Sequence, residues 1–214
     1  MVKKVLSDYQ RSKEDNTDDL YFYAQPRLVH HLDESFRLCL TELYSELIES
    51  NSIILDLMSS WTSHLPTNIQ YKKVIGHGLN KIELEKNTRL DSYWVQNLNS
   101  DQKLPLEDSS IDVCLIVAAW QYLQQPEEIA AELKRIIRPK GLLIVSFSNR
   151  AFWSKAPKIW TEGSDIDHIN YINSMLISQG WAKPKSISKQ TMLKGFLGNI
   201  GIHGDPFFSI IATN

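Results

Sequence analysis

Four short stretches of this chain are apolar on every residue: Ile53-Ile54-Leu55, Val74-Ile75, Val113-Cys114-Leu115-Ile116-Val117 and Leu142-Leu143-Ile144-Val145. A strand with no polar alternation must be covered on both faces, which a parallel sheet clad in helices provides. Between the last two runs lies a strong helix pattern. Pro126 suits a first-turn position, Glu127 and Glu128 complement the positive end of the helix dipole, and Ile129, Leu133, Ile136 and Ile137 make the buried stripe. Pro139-Lys140-Gly141 then stops the helix and returns the chain to a strand. Strand, helix, strand at this spacing implies right-handed crossovers and a doubly wound α/β sheet.

The flanks carry other signals. Residues 1–19 hold nine charged side chains and read as a mobile or surface-laid arm. Pro26 opens a pattern of Leu28, Leu32, Phe36, Leu40, Leu43 and Leu47 at helical spacing, so a helix is expected from that proline onward. Residues 1–50 are thus expected as an arm and helix packing on the core, and 51–214 as one α/β domain. Toward the end, Ile169, Ile172, Met175 and Leu176 predict a helix stopped by Gly180. Ser186-Ile187-Ser188 and Phe207–Ile211 predict two closing antiparallel strands, with Gly195, Gly198, Gly201 and Gly204 in the loop between them.

Charge and composition narrow the function. With 23 basic and 25 acidic residues the chain lacks the cationic excess that nucleic-acid binding needs. No apolar run reaches the roughly 18–20 residues of a membrane span, and the first ten residues turn polar too soon for a signal peptide, so a cytoplasmic protein is expected. Cys39 and Cys114 lack metal-ligand spacing and read as buried reduced thiols. No GxGxxG follows any strand and no GxSxG occurs, which argues against nicotinamide and serine-hydrolase chemistry. The six histidines are scattered, so no metal is expected.

Ligands of open α/β sheets bind beyond the carboxyl ends of the strands. That rule singles out Asp56-Leu57-Met58-Ser59-Ser60-Trp61, Gly76-His77-Gly78-Leu79-Asn80, Trp94–Leu98 and Ala118–Tyr122. Leu104-Pro105-Leu106-Glu107-Asp108-Ser109-Ser110-Ile111-Asp112-Val113 and Arg138-Pro139-Lys140-Gly141 resemble stretches of the class I S-adenosylmethionine-dependent methyltransferases, in particular the branch acting on small molecules. The resemblance spans roughly residues 50–150 and implies a seven-stranded, mostly parallel Rossmann-like sheet with an antiparallel terminal hairpin, plus a helical extension at the amino end. It implies S-adenosyl-L-methionine as cofactor and a small, hydrophobic or aromatic acceptor.

The resemblance also assigns residues. Asp56 falls where the family has an acid, Met58, Ser59 and Ser60 replace its glycine-rich turn, and His77 or Gly78 stands at its ribose-binding carboxylate. Asn80 reads as a helix cap, Asn97 falls on the adenine contact beside Leu98, and Trp120 and Tyr122 wall the adenine pocket, with Ala118 also at the cofactor. Read without the family, Asp56 is equally a cap for nearby backbone N–H groups, Asn97 an Asx turn and Trp120 a core residue. His64, His31 and Tyr23 are the candidate bases for a hydroxyl acceptor. Phe152, Trp153 and Trp160, with Lys155 and Lys158, form either a lid over an apolar acceptor or a packed crossover. The lost glycines leave a second possibility, a catalytically inert module that binds a ligand or a protein.

Overall fold

The computed structural model describes residues 2–193, 195, 198 and 200–214; Lys194, Phe196, Leu197 and Asn199 of the glycine-bearing loop lie outside that set, as does Met1. One sheet holds all seven strands: β1 (Ile53–Asp56), β2 (Lys73–Gly78), β3 (Ser92–Val95), β4 (Ile111–Val117), β5 (Ile137–Phe147), β6 (Lys185–Lys189) and β7 (Phe207–Thr213). Their spatial order is β3-β2-β1-β4-β5-β7-β6. The first five run parallel, while β7 lies antiparallel between β5 and β6.

The unbroken apolar runs are explained by two helical layers. Ile54, Val113, Leu115 and Ile144 face Phe36, Leu40, Leu43 and Tyr44 of α3 (Glu34–Leu47). The residues between them, Leu55, Cys114, Ile116, Leu143 and Val145, share a core with α5 (Pro126–Ile136) and α7 (Asp165–Ser178). Gly141 lets β5 close onto β4, since a Cβ there would stand 2.8 Å from the Asp112 carbonyl. Among the described residues no helix is long and apolar enough to cross a membrane.

Helix α3 corrects the expectation of a helix from Pro26. It begins at Glu34, where the Asp33 carboxylate accepts from the Phe36 N–H at 2.8 Å and so supplies the cap. Residues 26–32 are used elsewhere: the Arg27 N–H donates to Glu83 at 2.7 Å, and Trp61 donates to the Val29 carbonyl at 3.2 Å. Two short helices precede them, α1 (Asp8–Arg11) and α2 (Asp19–Phe22), with α4 (Lys81–Lys86) following β2.

The charged residues near the amino end are tied to the domain by an ionic clasp, in which Lys13 and Asp19 are buried. Arg11 pairs with the buried Glu127 of α5. Lys13 pairs with Asp19 at 2.8 Å, and Lys155, 1% exposed, reaches the Thr17 carbonyl at 2.8 Å, Asp15 at 3.0 Å and Asp19 at 3.6 Å. The clasp fixes residues 13–25 against the crossover that follows β5, which includes α6 (Lys158–Thr161).

Candidate active site

The sheet reverses its order between β1 and β4, and a cleft of about 530 Å³ opens over their carboxyl ends. Both strands leave the sheet through a left-handed residue: Met58 at φ 57° and Ala118 at φ 48°. Such values cost a non-glycine residue about 1–2 kcal/mol and persist only where the surroundings enforce them.

His77 does the enforcing at Met58. Its Nδ1 accepts from the Met58 N–H at 3.1 Å and its Nε2–H donates to the Gln96 carbonyl at 2.9 Å, which fixes the tautomer. The ring is therefore a strut between the β1 loop and the end of β3. Burial pushes its pKa down to about 4. Ser59 N–H also bonds the His77 carbonyl, and a Cβ on Gly78 would stand 2.5 Å from the Ser59 carbonyl, so the loop rests directly on a side chain-free strand end. His77→Leu is expected to leave a buried N–H and a buried C=O without partners, lowering stability by about 2 kcal/mol and Tm by roughly 4–8 °C. Histidine held neutral in the fold loses stability as pH drops from 6.5 toward 4, so the variant should also decline less steeply over that window in a urea titration. An unchanged midpoint at neutral pH would remove the strut.

Asp56 lies beneath the loop, 3% exposed, and accepts from Ser59 Oγ at 2.6 Å. Burial pushes its pKa up to about 6 against the opposing hydrogen bonds from Ser59 and Ser63. Ser60 donates to Glu83, a residue that sequence reasoning left out. Asn80 caps α4 by accepting from the Glu83 N–H at 3.1 Å and donates to the carbonyls of Tyr23 and Ala24. The Asn80-x-x-Glu83 spacing was the available signal, since it matches a capping box. Here, however, the Glu83 carboxylate accepts from Ser60 and from the Arg27 N–H and lines the cleft.

Asp56, Met58, Ser59, Ser60, His77, Gly78, Asn80, Asn97, Leu98 and Ala118 all line the cleft, as do Tyr23, His31 and His64. Trp120 does not. The 3₁₀ turn at Trp120–Tyr122 rotates it into the core, fully buried, and presents Gln121 and Tyr122 to the cleft instead. Asn97 makes the Asx turn, accepting from the Asn99 N–H at 3.0 Å, and donates to Asp18 at 3.0 Å. His64 is held neutral, its pKa pushed down to about 4 by burial and then by the Arg37 charge. His31 is lowered by burial and by Arg27, and packs edge-on against Phe152 with ring centres 5.5 Å apart. Burial raises the Tyr23 phenol.

The crossover after β5 divides. Phe152 and Trp153 line the cleft. Trp160 is instead a core residue stacked on His168 at 3.7 Å, and Lys155 belongs to the ionic clasp.

Comparison with known proteins adds a family to this geometry. Residues 62–145 match the model of a methyltransferase domain. An uncharacterized methyltransferase of Mycobacteroides abscessus is 39% identical over 49 residues, 23% of this chain and 19% of that protein. A malonyl-[acyl-carrier protein] O-methyltransferase of a Marinomonas species is 25% identical over 104 residues, 49% of this chain and 37% of that protein. The chain spans about a fifth of the length of the first of these relatives. A SAM-dependent methyltransferase from Aquifex aeolicus shares the fold with a TM-score of 0.56 at 14% identity, over 91% of this chain and 96% of that one. Residues 62–145 are thus similar to a methyltransferase domain, and the seven-stranded sheet that holds them has the fold of that SAM-dependent methyltransferase.

Proposed function

We propose that the chain binds S-adenosylmethionine across the ends of β1, β2 and β3 and methylates a small hydrophobic or aromatic acceptor lying over β4 and β5. The observation that carries this reading is the cleft itself: about 530 Å³ at the reversal of strand order, within the range of small-molecule sites, with main chain bared by the left-handed turns at Met58 and Ala118. The residues present fit the cofactor. Backbone of Met58–Ser60, over Asp56, would meet its amino-acid end. Glu83 is a carboxylate with acceptor capacity to spare beside Gly78, suited to ribose hydroxyls. Leu98, Ala118 and the Asn97 turn would border the base.

When bound, the sulfonium supplies an activated methyl group. The chain's share is to align an acceptor in a dry site, which Tyr122, Phe152 and Trp153 support, and to take a proton where the acceptor is a hydroxyl. His31, held neutral beside Phe152, suits that last role. A buried Cys114 thiol and a half-buried Cys39, both free, support a reducing, cytoplasmic setting.

A second reading is a module that binds a ligand without turning it over. It is favoured by one observation: the Ser59 hydroxyl is committed to Asp56, and residues 57–72 form no helix whose amino end could face an anionic group. Thermal unfolding separates the two. Saturating S-adenosylhomocysteine, at about 100 times its Kd, should add about 2.7 kcal/mol and raise Tm by roughly 5–10 °C. No shift at millimolar concentration would sink the enzymatic reading.

A further inference from the structure

The half of the cleft over β4 and β5 contains two polar atoms that the described residues leave without partners. The first is Nη1 of Arg27, which is buried with no hydrogen-bond partner among them. The guanidinium carbon lies 4.5 Å from the Phe22 ring centre, 5.3 Å from that of Phe152 and 5.5 Å from that of Tyr23. Nη2 donates to the Phe22 carbonyl at 2.9 Å, but no described carboxylate forms an ion pair with the group. The second is Oε1 of Gln121. This side chain is 2% exposed, lines the cleft, and donates through Nε2 to the Arg150 carbonyl at 3.3 Å, which orients the amide and leaves Oε1 unpaired.

Phe152 connects the two. Its N–H donates to the Tyr122 hydroxyl at 3.0 Å, its ring stacks on Tyr122 at 6.1 Å, and Phe22, Arg27 and His31 also pack against it. A guanidinium pressed among three rings has lost water from its faces and keeps only its edge for bonding. A carboxylate fits that edge with two parallel hydrogen bonds. The amide oxygen has the opposite need, because it accepts and cannot donate, so it calls for an O–H or N–H. The surrounding rings select a flat apolar body.

We propose that this half-cleft is a subsite for an aromatic carboxylic acid bearing a hydroxyl or amine, with the carboxylate on Arg27 and the O–H or N–H on Gln121. Naming that acid as the methyl acceptor rests on the methyltransferase reading; the subsite itself does not.

The test is calorimetric titration of the full chain, with and without S-adenosylhomocysteine, using the three hydroxybenzoate isomers, the three aminobenzoates, benzoate, and the hydroxybenzamides as neutral controls. At least one hydroxy or amino acid should bind, more tightly than benzoate and at least about tenfold more tightly than its amide. Arg27→Met should abolish the preference for acid over amide while S-adenosylhomocysteine affinity stays unchanged. Gln121→Leu should bring the preferred acid down to the level of benzoate. Circular dichroism of both variants checks that they fold; if either does not, the neutral Arg27→Gln and the acceptor-free Gln121→Met replace them and are read by the same criteria. No binding by any of the acids, equal binding of acid and amide, or a loss of S-adenosylhomocysteine affinity in Arg27→Met would each overturn the subsite. Acid binding without any S-adenosylhomocysteine binding would leave the subsite standing and remove the cofactor.

Discussion

Lys155→Met is expected to lower Tm by roughly 5–12 °C, the equivalent of about 2–4 kcal/mol. The replacement keeps the length and apolar stem of the side chain, so the loss isolates the charge. Without it, Asp15 and the Thr17 carbonyl lose a buried donor at 3.0 and 2.8 Å, and Asp19 retains only Lys13 and Asn99. Breaking one member of a buried ionic group costs more than the group contributes as a whole, because the remaining charge stays desolvated. Asp19 lines the cleft and accepts from Asn99 in the turn that would border the base, so the same variant should bind S-adenosylhomocysteine several-fold more weakly and be cut faster by trypsin in residues 3–27. A Tm within about 1 °C of the parent protein would show that the clasp contributes nothing.

Asp56→Asn should raise stability and lower affinity together. An aspartate titrates near 3.8 when unfolded and near 6 in this fold, so between those values the folded chain holds the extra proton and stability falls as pH rises. Above pH 6 the whole penalty is present, and a neutral amide removes it. The gain should be on the order of 1–3 kcal/mol at pH 8 and should vanish below pH 4. Above pH 6 cofactor affinity should fall at least about tenfold, because the charge beneath the Met58–Ser60 turn is gone. Urea melts at the two pH values, paired with calorimetry, read both effects. A variant that is less stable at pH 8 than the parent would make Asp56 an ordinary structural cap.

The sheet was legible because its signals are local: four runs without polar alternation, a proline-started helix between two of them, and a β-branched pair at the end. The start of α3 was not. Leu28 and Leu32 keep the helical period, yet the Asp33 cap and the contacts of Arg27 and Val29 across the cleft outcompete it. In the site, the strand-end rule located the loops but could not assign their side chains. His77 stands at a ligand-contacting position by sequence, and only the fold brings Met58 and Gln96 to its two nitrogens. Glu83 went unread because its carboxylate meets the Arg27 N–H and Ser60 only through tertiary structure. Trp120, expected at the adenine pocket, is turned into the core by a single 3₁₀ turn that leaves Gln121 and Tyr122 at the cleft.

The backward-bent corners at Met58 and Ala118 bear on how such proteins are found. The curvature that glycine ordinarily permits is retained here by a methionine and an alanine, held by a histidine strut in one case and, in the other, by an Ala118 N–H bond to the Ser146 carbonyl. Searches keyed to glycine will pass over relatives that kept the bend and changed the residue, whereas a search on backbone torsion at adjacent strand ends would gather them.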